Sequence, residues 1–212
     1  MVAPKNRWPD VQHALWYLEK ADTIPHRAEG TAVFVELLPE RVERVLDLGT
    51  GDGRLLDLVL TARPGSTGVG LDLNEEMLTR AGERFAGDAR VEIGAHDLDD
   101  PLPGDGRFDV IVSSFAIHHV DDDRKRALYA ECAARLTPGG AFLNLEHVAS
   151  PTEELHEAFL AELGIDPADD DPSNLLAPVE DQLGWLRDAG LVDVECFWKW
   201  RELALLAGSK PG

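Results

Sequence analysis

Short apolar runs alternate with amphipathic segments along most of this chain. The runs are rich in Val, Leu and Ile, as expected of strands that are buried on both faces of a sheet. The segments between them have the apolar spacing of helices. This alternation predicts a parallel α/β sheet with helices on both faces. The predicted strands are 44–48, 67–73, 90–95, 109–113 and 141–146.

The pattern differs near both ends of the chain. Helices are predicted over 9–20 and 28–38, ahead of the first strand. After a helix that starts at Pro178, the runs VDVECFW and ELALLAG are separated only by residues 199–201. So short a connection cannot hold a crossover helix, and the last two strands are therefore predicted to be antiparallel. We interpret the whole chain, 1–212, as one α/β domain with a seven-stranded, mostly parallel sheet.

Residues 149–179 form an insertion after the fifth strand. The sequence SPTE at 150–153 is a capping-box pattern with proline at the first helical position, and it predicts a helix that ends near Leu163. The insertion leaves the carboxyl end of a strand, where open α/β sheets bind ligands. We therefore expect a helical lid over a substrate, together with the helices of 9–38. The alternative is a surface helix that only decorates the fold.

The charge of the chain narrows the range of partners. Forty acidic and twenty basic residues give a net charge of −20, which repels polyphosphate, so long nucleic acid is not expected to bind. No apolar run approaches the ~20 residues that span a bilayer, and no signal-peptide core is present. We expect a soluble, cytoplasmic protein of open oligomeric state. Cys132 and Cys196 lack metal-type spacing, so no metal site is predicted.

The stretch VLDLGTGDGRL, residues 45–55, predicts a ligand-binding turn between a strand and a helix. A dinucleotide fingerprint needs its third glycine at position 54, which is Arg54 here. Asp47 would also repel a pyrophosphate at the turn. The same carboxylate suits the cationic amino group of S-adenosylmethionine (SAM), whose carboxylate can accept the backbone N–H groups of the turn. The spacing therefore favours SAM over a dinucleotide.

Five motifs in order resemble those of the class I SAM-dependent methyltransferases. DLGTGDG is similar to the first motif of that family, and LDLNEEML is similar to its acidic second-strand motif. HDLDD resembles the segment that reads adenine, and FDVIVSSFAIHHV and LTPGGAFLNLEHV resemble the fourth-strand and fifth-strand motifs. The resemblance implies a Rossmann-like sheet with strand order 3-2-1-4-5-7-6. It also implies that SAM is the cofactor and S-adenosylhomocysteine the product.

The resemblance also implies which residues bind the methionyl part and the ribose of SAM. Asp47, Gly49 and Gly51 would contact the methionyl part, and Asp72 would hold the ribose hydroxyls. Arg27 would meet the carboxylate of SAM through a bidentate contact. The alternatives are an ordinary tight turn for the glycines and a surface arginine at a helix start.

The adenine and the backbone beside SAM have their own implied contacts. Leu73 would pack on the adenine, Asp97 would accept from its amino group, and Leu98 would lie beside it. Ser113 follows the fourth strand, where the backbone of the family lies along the cofactor. Asp97 could instead cap a helix or a turn.

Four residues are placed to act on an acceptor. His118 and His119 follow the fourth strand, and Glu146 and His147 close the fifth, its neighbour in the implied order. A histidine can take a proton from a hydroxyl or an amine near neutral pH, and Glu146 can orient a histidine or bind a cationic acceptor. Methyl transfer depends largely on orientation, so a purely structural role for these residues is the alternative.

Other side chains are candidates for holding the acceptor. Ser114 and Phe115 follow the fourth strand and would shape the wall of a pocket. Trp198 and Trp200 share one face by the strand period and could stack on a planar acceptor, or else only pack. The function predicted from the sequence is methyl transfer from SAM to a small molecule at O, N or C. The alternatives are processing of a SAM-derived group for tRNA wobble-uridine modification, and a non-catalytic SAM-binding module.

Overall fold

The computed structural model describes residues 24–212, so the helix predicted over 9–20 lies outside the described residues. Its strands are β1 (Arg44–Leu48), β2 (Thr67–Asp72), β3 (Val91–Ala95), β4 (Phe108–Ser114), β5 (Leu136–His147), β6 (Val192–Trp200) and β7 (Leu203–Ser209). Its α-helices are α1 (Arg27–Leu37), α2 (Arg54–Ala62), α3 (Glu75–Arg84), α4 (Asp122–Arg135), α5 (Glu153–Leu163) and α6 (Val179–Asp188). Two short 3₁₀ turns, Ile117–His119 and Pro167–Asp169, complete these elements.

The strands form one sheet of order β3-β2-β1-β4-β5-β7-β6. The pairs β1–β2, β1–β4, β2–β3 and β4–β5 are parallel, whereas β7 is antiparallel to both β5 and β6. The predicted α/β class, the Rossmann-like order and the antiparallel C-terminal strand are confirmed. Because the sheet order reverses between β1 and β4, their carboxyl ends open a crevice of the kind that binds ligands.

The core lies on both faces of the sheet, because successive strand residues point to opposite sides. Ile111 of β4 packs with Leu128 of α4 and Leu186 of α6 in one hydrophobic cluster. Val112, the next residue of β4, belongs to the other cluster with Phe34 of α1. The alternation along β4 therefore fixes which helices cover each face.

Two predicted boundaries differ from the structure. The fifth strand, predicted over 141–146, begins earlier, because residues 136–140 are an irregular part of β5, whose register against β4 shifts between Phe108 and Val110. Gly139 takes a φ of +77° there, which favours glycine. The cap of α5 is Thr152, whose side chain accepts from the N–H of Leu155, so the expected start at Ser150 is wrong by two residues. No helix among residues 24–212 is long and apolar enough to cross a bilayer.

Candidate functional site

A cavity of ≈ 570 Å³ opens at the carboxyl ends of β1, β2, β3 and β4. The N-terminal half of α1 forms one wall, and the glycine turn after β1 forms the wall opposite. Of the predicted site residues, those that line it are Arg27, Gly49, Gly51, Asp72, Leu73, Asp97, Leu98, Ser114, Phe115 and His119. Seven of the nine predicted cofactor residues thus line one cavity, whereas Asp47 and Ser113 are buried outside its lining, and only His119 of the four catalytic candidates reaches it.

The glycine turn depends on backbone conformations that favour glycine. Gly49, Gly51 and Gly53 have φ values of +67°, +55° and +81°. A Cβ at Gly49 would lie 2.2 Å from the Cβ of Ala116, so a side chain there would collide with the loop after β4. A Cβ at Gly51 would meet nothing closer than the Met77 sulfur at 4.0 Å. The first glycine therefore permits close packing of two loops, while the second keeps backbone exposed to the cavity.

Asp47 lies directly behind this turn and is fully buried. Its Oδ2 accepts a hydrogen bond from the Thr50 hydroxyl at 2.7 Å, whereas Oδ1 has no hydrogen-bond partner among residues 24–212. Burial raises the pKa of Asp47 to about 7, and the Thr50 bond only partly offsets this effect. A buried carboxylate with one oxygen that accepts no hydrogen bond is unfavourable unless a cation binds that oxygen.

Asp72 closes β2 and shapes the turn from the other side. One of its oxygens accepts from the N–H of Gly51 and the other from the N–H of Asn74, both at 2.8 Å. Burial raises the pKa of Asp72, and these two bonds oppose the shift. Each carboxylate oxygen keeps a further lone pair, so Asp72 can still accept hydrogen bonds at the cavity wall.

Asp97 lines the cavity and also caps a turn. Its Oδ1 accepts from the N–H of Asp99 at 3.0 Å, which is the capping role that the sequence left open. Leu73 and Leu98 lie in the same lining. Asp97 therefore stands beside two apolar side chains.

The end of β4 and the loop after it carry three of the predicted residues. Ser113 does not line the cavity, because it is buried and its hydroxyl donates to the carbonyl of Leu48 at 2.8 Å, which ties β4 to β1. Ser114 and Phe115 do line it. Phe115 has a φ of +53°, unusual for a non-glycine residue, and the Arg27 guanidinium lies 5.2 Å from the centre of its ring. This contact joins α1 to the loop after β4 across the cavity.

His118 and Glu146 form a buried pair outside the cavity lining. His118 Nδ1 lies 2.6 Å from Glu146 Oε1, and that oxygen also accepts from the N–H of His147 at 2.8 Å. Glu146 Oε2 accepts from Asn144 Nδ2 at 3.2 Å. Burial raises the pKa of Glu146, whereas burial and the neighbouring His147 hold the pKa of His118 well below its usual range. The structure places this pair as an internal contact rather than as groups that face an acceptor.

His147 belongs to a second chain of polar contacts. Its Nε2 lies 2.8 Å from Glu202 Oε2, and Glu202 Oε1 lies 3.0 Å from His156 Nδ1. His156 Nε2 in turn lies 3.3 Å from Asp170. Burial opposes a charge on His156, but the contacts with Glu202 and Asp170 prevail and raise its pKa. This chain links β5 to the insertion and points away from the cavity.

His119 lies at the cavity wall, and its ring contacts the insertion. Its Nδ1 lies 3.2 Å from the carbonyl oxygen of Ser173, which is part of the insertion. A carbonyl can only accept, so Nδ1 carries the proton and Nε2 the lone pair of the neutral ring. Burial and the neighbouring His118 keep the pKa of His119 well below its usual range, so the ring is neutral at physiological pH.

Trp198 and Trp200 lie outside the cavity lining. A Cβ at Gly30 of α1 would lie 2.8 Å from the Trp198 ring, so α1 covers that ring closely. Trp200 packs against His26, with ring centres 4.6 Å apart, and against Phe159 at 6.1 Å. Both rings pack against the same cluster, as the strand period predicts, and neither lines the cavity.

The insertion does not cover the cavity. None of residues 149–179, all of which the structure describes, contributes to the lining. It packs instead behind His118 and His119 and against Glu202. The lid expected of the insertion therefore stays a prediction, whereas α1 lines the cavity.

Several cavity residues escaped the sequence analysis. Thr31 and Phe34 of α1, Met77 of α3 and His96 after β3 all belong to the lining. The Nε2 of His96 is buried without a hydrogen-bond partner in the described part of the chain, and burial lowers the pKa of His96. His96 is the first residue of the HDLDD motif, so its position was a signal for a site residue. The residues of α1 gave no such signal, because their pattern resembles that of an ordinary packed helix.

Comparisons with known proteins agree with this geometry. A family model described as a methyltransferase domain matches residues 45–140. An uncharacterized methyltransferase of Mycobacterium tuberculosis is 34% identical over 109 residues, which are 51% of this chain and 53% of that protein. A ubiquinone/menaquinone biosynthesis C-methyltransferase of Dinoroseobacter shibae is 33% identical over 137 residues, which are 63% of this chain and 54% of that protein. This chain spans about half the length of these curated relatives.

A solved structure has the same fold over nearly the whole chain. An O-methyltransferase family protein from Burkholderia thailandensis matches with a TM-score of 0.69 at 23% identity, covering 97% of this chain and 68% of that one. The sheet order and the crevice at its carboxyl edge define a Rossmann-like, ligand-binding class of protein. The matched family model over residues 45–140 and the relatives support a class I SAM-dependent methyltransferase.

Proposed function

We propose that this chain transfers the methyl group of SAM to a small-molecule acceptor at oxygen, nitrogen or carbon and releases S-adenosylhomocysteine. The observation that carries the proposal is Asp47, a fully buried carboxylate with one unbonded oxygen directly behind the glycine turn. A cationic amino group, such as that on the methionyl end of SAM, would complete this carboxylate and relieve the penalty of its burial.

The other cavity residues suit the remaining parts of SAM. Asp72 presents carboxylate oxygens at the end of β2 for the ribose hydroxyls, and Gly51 leaves backbone open beside it. Leu73 and Leu98 offer apolar surfaces for the adenine, and Asp97 offers an acceptor for its amino group. Arg27, at the start of α1, is the cation of the lining that would meet the carboxylate of SAM.

The chemistry requires alignment more than a strong base. SAM supplies an electrophilic methyl group on a sulfonium, and the acceptor atom has to lie in line at about 3–3.5 Å. Phe115 and Ser114 form the wall beside which an acceptor would be oriented, and α1 excludes water from above. His119 is the catalytic candidate at this wall, and its neutral ring can hold a proton or accept a hydrogen bond only weakly, because its pKa is low.

Three observations support a small molecule as the acceptor. The cavity volume of ≈ 570 Å³ lies within the range of about 300–1,000 Å³ for small-ligand sites. The formal charge of −20 disfavours long nucleic acid. The D. shibae relative is named for the biosynthesis of ubiquinone and menaquinone, which are small molecules.

Calorimetry with SAM, S-adenosylhomocysteine and NAD tests the cofactor, with Asp47→Asn as the variant that keeps the size of the side chain. We expect SAM and S-adenosylhomocysteine to bind and NAD not to bind. Release of S-adenosylhomocysteine is then followed with phenols, quinols, amines and carboxylic acids as acceptors. Tight binding of NAD without SAM would overturn the proposal, and SAM binding without turnover of any acceptor would favour a non-catalytic module.

A further inference from the structure

Lys125 is a fully buried lysine that the proposed reaction does not use. Its side chain is 0% exposed, although it lies on α4 near the start of that helix. Its ammonium donates to the carbonyls of Val120 at 2.7 Å and Leu175 at 2.5 Å and to Asp122 Oδ1 at 3.0 Å. A buried ammonium is costly unless it is fully bonded, so these contacts must be maintained together.

The three acceptors join two segments that are distant in sequence. Val120 ends the 3₁₀ turn of Ile117–His119, and Leu175 belongs to the insertion. A further bond runs from the N–H of Leu175 to the carbonyl of His118 at 2.8 Å. Lys125 therefore fastens the insertion to the turn that carries His119.

The fastened segment contacts the ring of His119. The carbonyl oxygen of Ser173 lies 3.2 Å from His119 Nδ1, and its hydroxyl lies 3.4 Å from the same nitrogen. Ser173 is itself buried, with 1% of its surface exposed. The insertion thus supplies the group that decides which nitrogen of His119 carries the proton.

We propose that Lys125 is a positioning residue, which holds residues 173–175 against the turn after β4 and so keeps His119 at the cavity wall as its Nδ1–H tautomer. This role rests on the proposed function, because it concerns the acceptor side of the same cavity. It also gives the insertion a purpose other than that of a lid, since the insertion fixes a wall residue from behind.

The test is long-range proton–nitrogen NMR of protein labelled with ¹⁵N-histidine at pH 8, with His119 assigned from the spectrum of His119→Gln. We expect His119 of the wild-type protein to be in the Nδ1–H form. Lys125→Met should change the ratio of its two tautomers by about fivefold, which is the effect of one ordinary hydrogen bond. The matched control is Lys210→Met, because Lys210 also donates a hydrogen bond to a backbone carbonyl, that of Ala133, at 2.9 Å.

An Nε2–H tautomer in the wild-type protein would overturn the inference without any variant. A folded Lys125→Met with an unchanged His119 spectrum would overturn it as well. Calorimetry with SAM separates the two proposals. Lys125→Met should bind SAM as the wild type does, and a wild type that binds no SAM would refute the proposed function while the tautomer result stands.

Discussion

Two buried carboxylates differ in how their oxygens are hydrogen-bonded. They are Asp47, behind the glycine turn, and Glu146, at the end of β5. Both are 0% exposed, and burial raises the pKa of both. Asp47 has one oxygen bonded and one bare, whereas Glu146 has both oxygens bonded by protein groups. Under the proposed function, this difference separates a carboxylate that binds the cofactor from one that only supports the fold, although the sequence analysis made Glu146 a catalytic candidate.

The largest expected effect is on the stability of Glu146→Ala. This change leaves the Nδ1–H of His118 and the N–H of His147 without the oxygen that accepts from them, whereas Asn144 keeps the Tyr129 hydroxyl. A buried donor left unsatisfied costs about 1–3 kcal/mol, so a loss of about 2–6 kcal/mol is expected. Urea unfolding at pH 7.5 measures the loss, and Glu146→Gln is the control that keeps the shape. A loss in Glu146→Ala below about 1 kcal/mol would refute the structural role.

Asp47→Asn should raise the stability of the cofactor-free protein, whereas Glu146→Ala should lower it. The folded state keeps a proton on Asp47 up to about pH 7, whereas the unfolded chain releases it near 3.8. The free energy of unfolding of the wild type therefore falls as the pH rises between these values and stays lower above them. Asparagine does not titrate, so the variant should be more stable at pH 8 by up to about 4 kcal/mol, at 1.36 kcal/mol per pKa unit.

The same substitution should weaken SAM binding, because a charge-assisted hydrogen bond is lost. Urea unfolding from pH 4 to pH 8 and calorimetry at pH 8 give the two readouts. An identical pH slope in Asp47→Asn and the wild type would show that Asp47 is already ionised in the folded protein.

Asp72→Asn is expected to have a smaller effect, which is on the affinity for SAM. A hydrogen bond to a charged group is typically worth about 1.5–3 kcal/mol, so the affinity for SAM should fall at least about tenfold. Asp109→Asn is the matched control, since Asp109 also accepts from two backbone N–H groups, those of Glu43 and Arg44, at the opposite edge of the sheet. Equal losses in both variants would point to a general loosening rather than to the ribose.

The smallest expected effect is on amide exchange in the insertion. SAM should slow exchange in α1, whose residues line the cavity, and leave α5 unchanged, because residues 149–179 contribute nothing to the lining. Hydrogen exchange with mass spectrometry compares the two helices in one experiment. Equal protection of α5 would instead support the lid that the sequence predicts.

The sequence predicted the sheet well, because strands that are buried on both faces appear as apolar runs of fixed length. It also predicted part of the cavity wall, since a glycine turn and a carboxylate at a strand end are local signals. Gly51 and Asp72 are examples, and each lies next to or at the end of a strand.

The acceptor side was harder to predict, because its members depend on contacts between distant segments. Glu146 and His147 stand at a crevice end of β5, but Asn144 and Glu202 bind them from within the protein. Trp198 lies on the predicted face of β6, but Gly30 lets α1 cover it. Contacts of this kind cannot be identified from the period of a single strand.

The contact between Gly49 and Ala116 restricts how this family can diverge. Between the two loops there is room for a single methyl group, and Ala116 fills it. A lineage that adds a side chain at Gly49 while keeping Ala116 would have to part β1 from β4, which are hydrogen-bonded neighbours up to the pair Leu48–Ser113. Residue 49 is therefore expected to stay glycine wherever residue 116 carries a side chain.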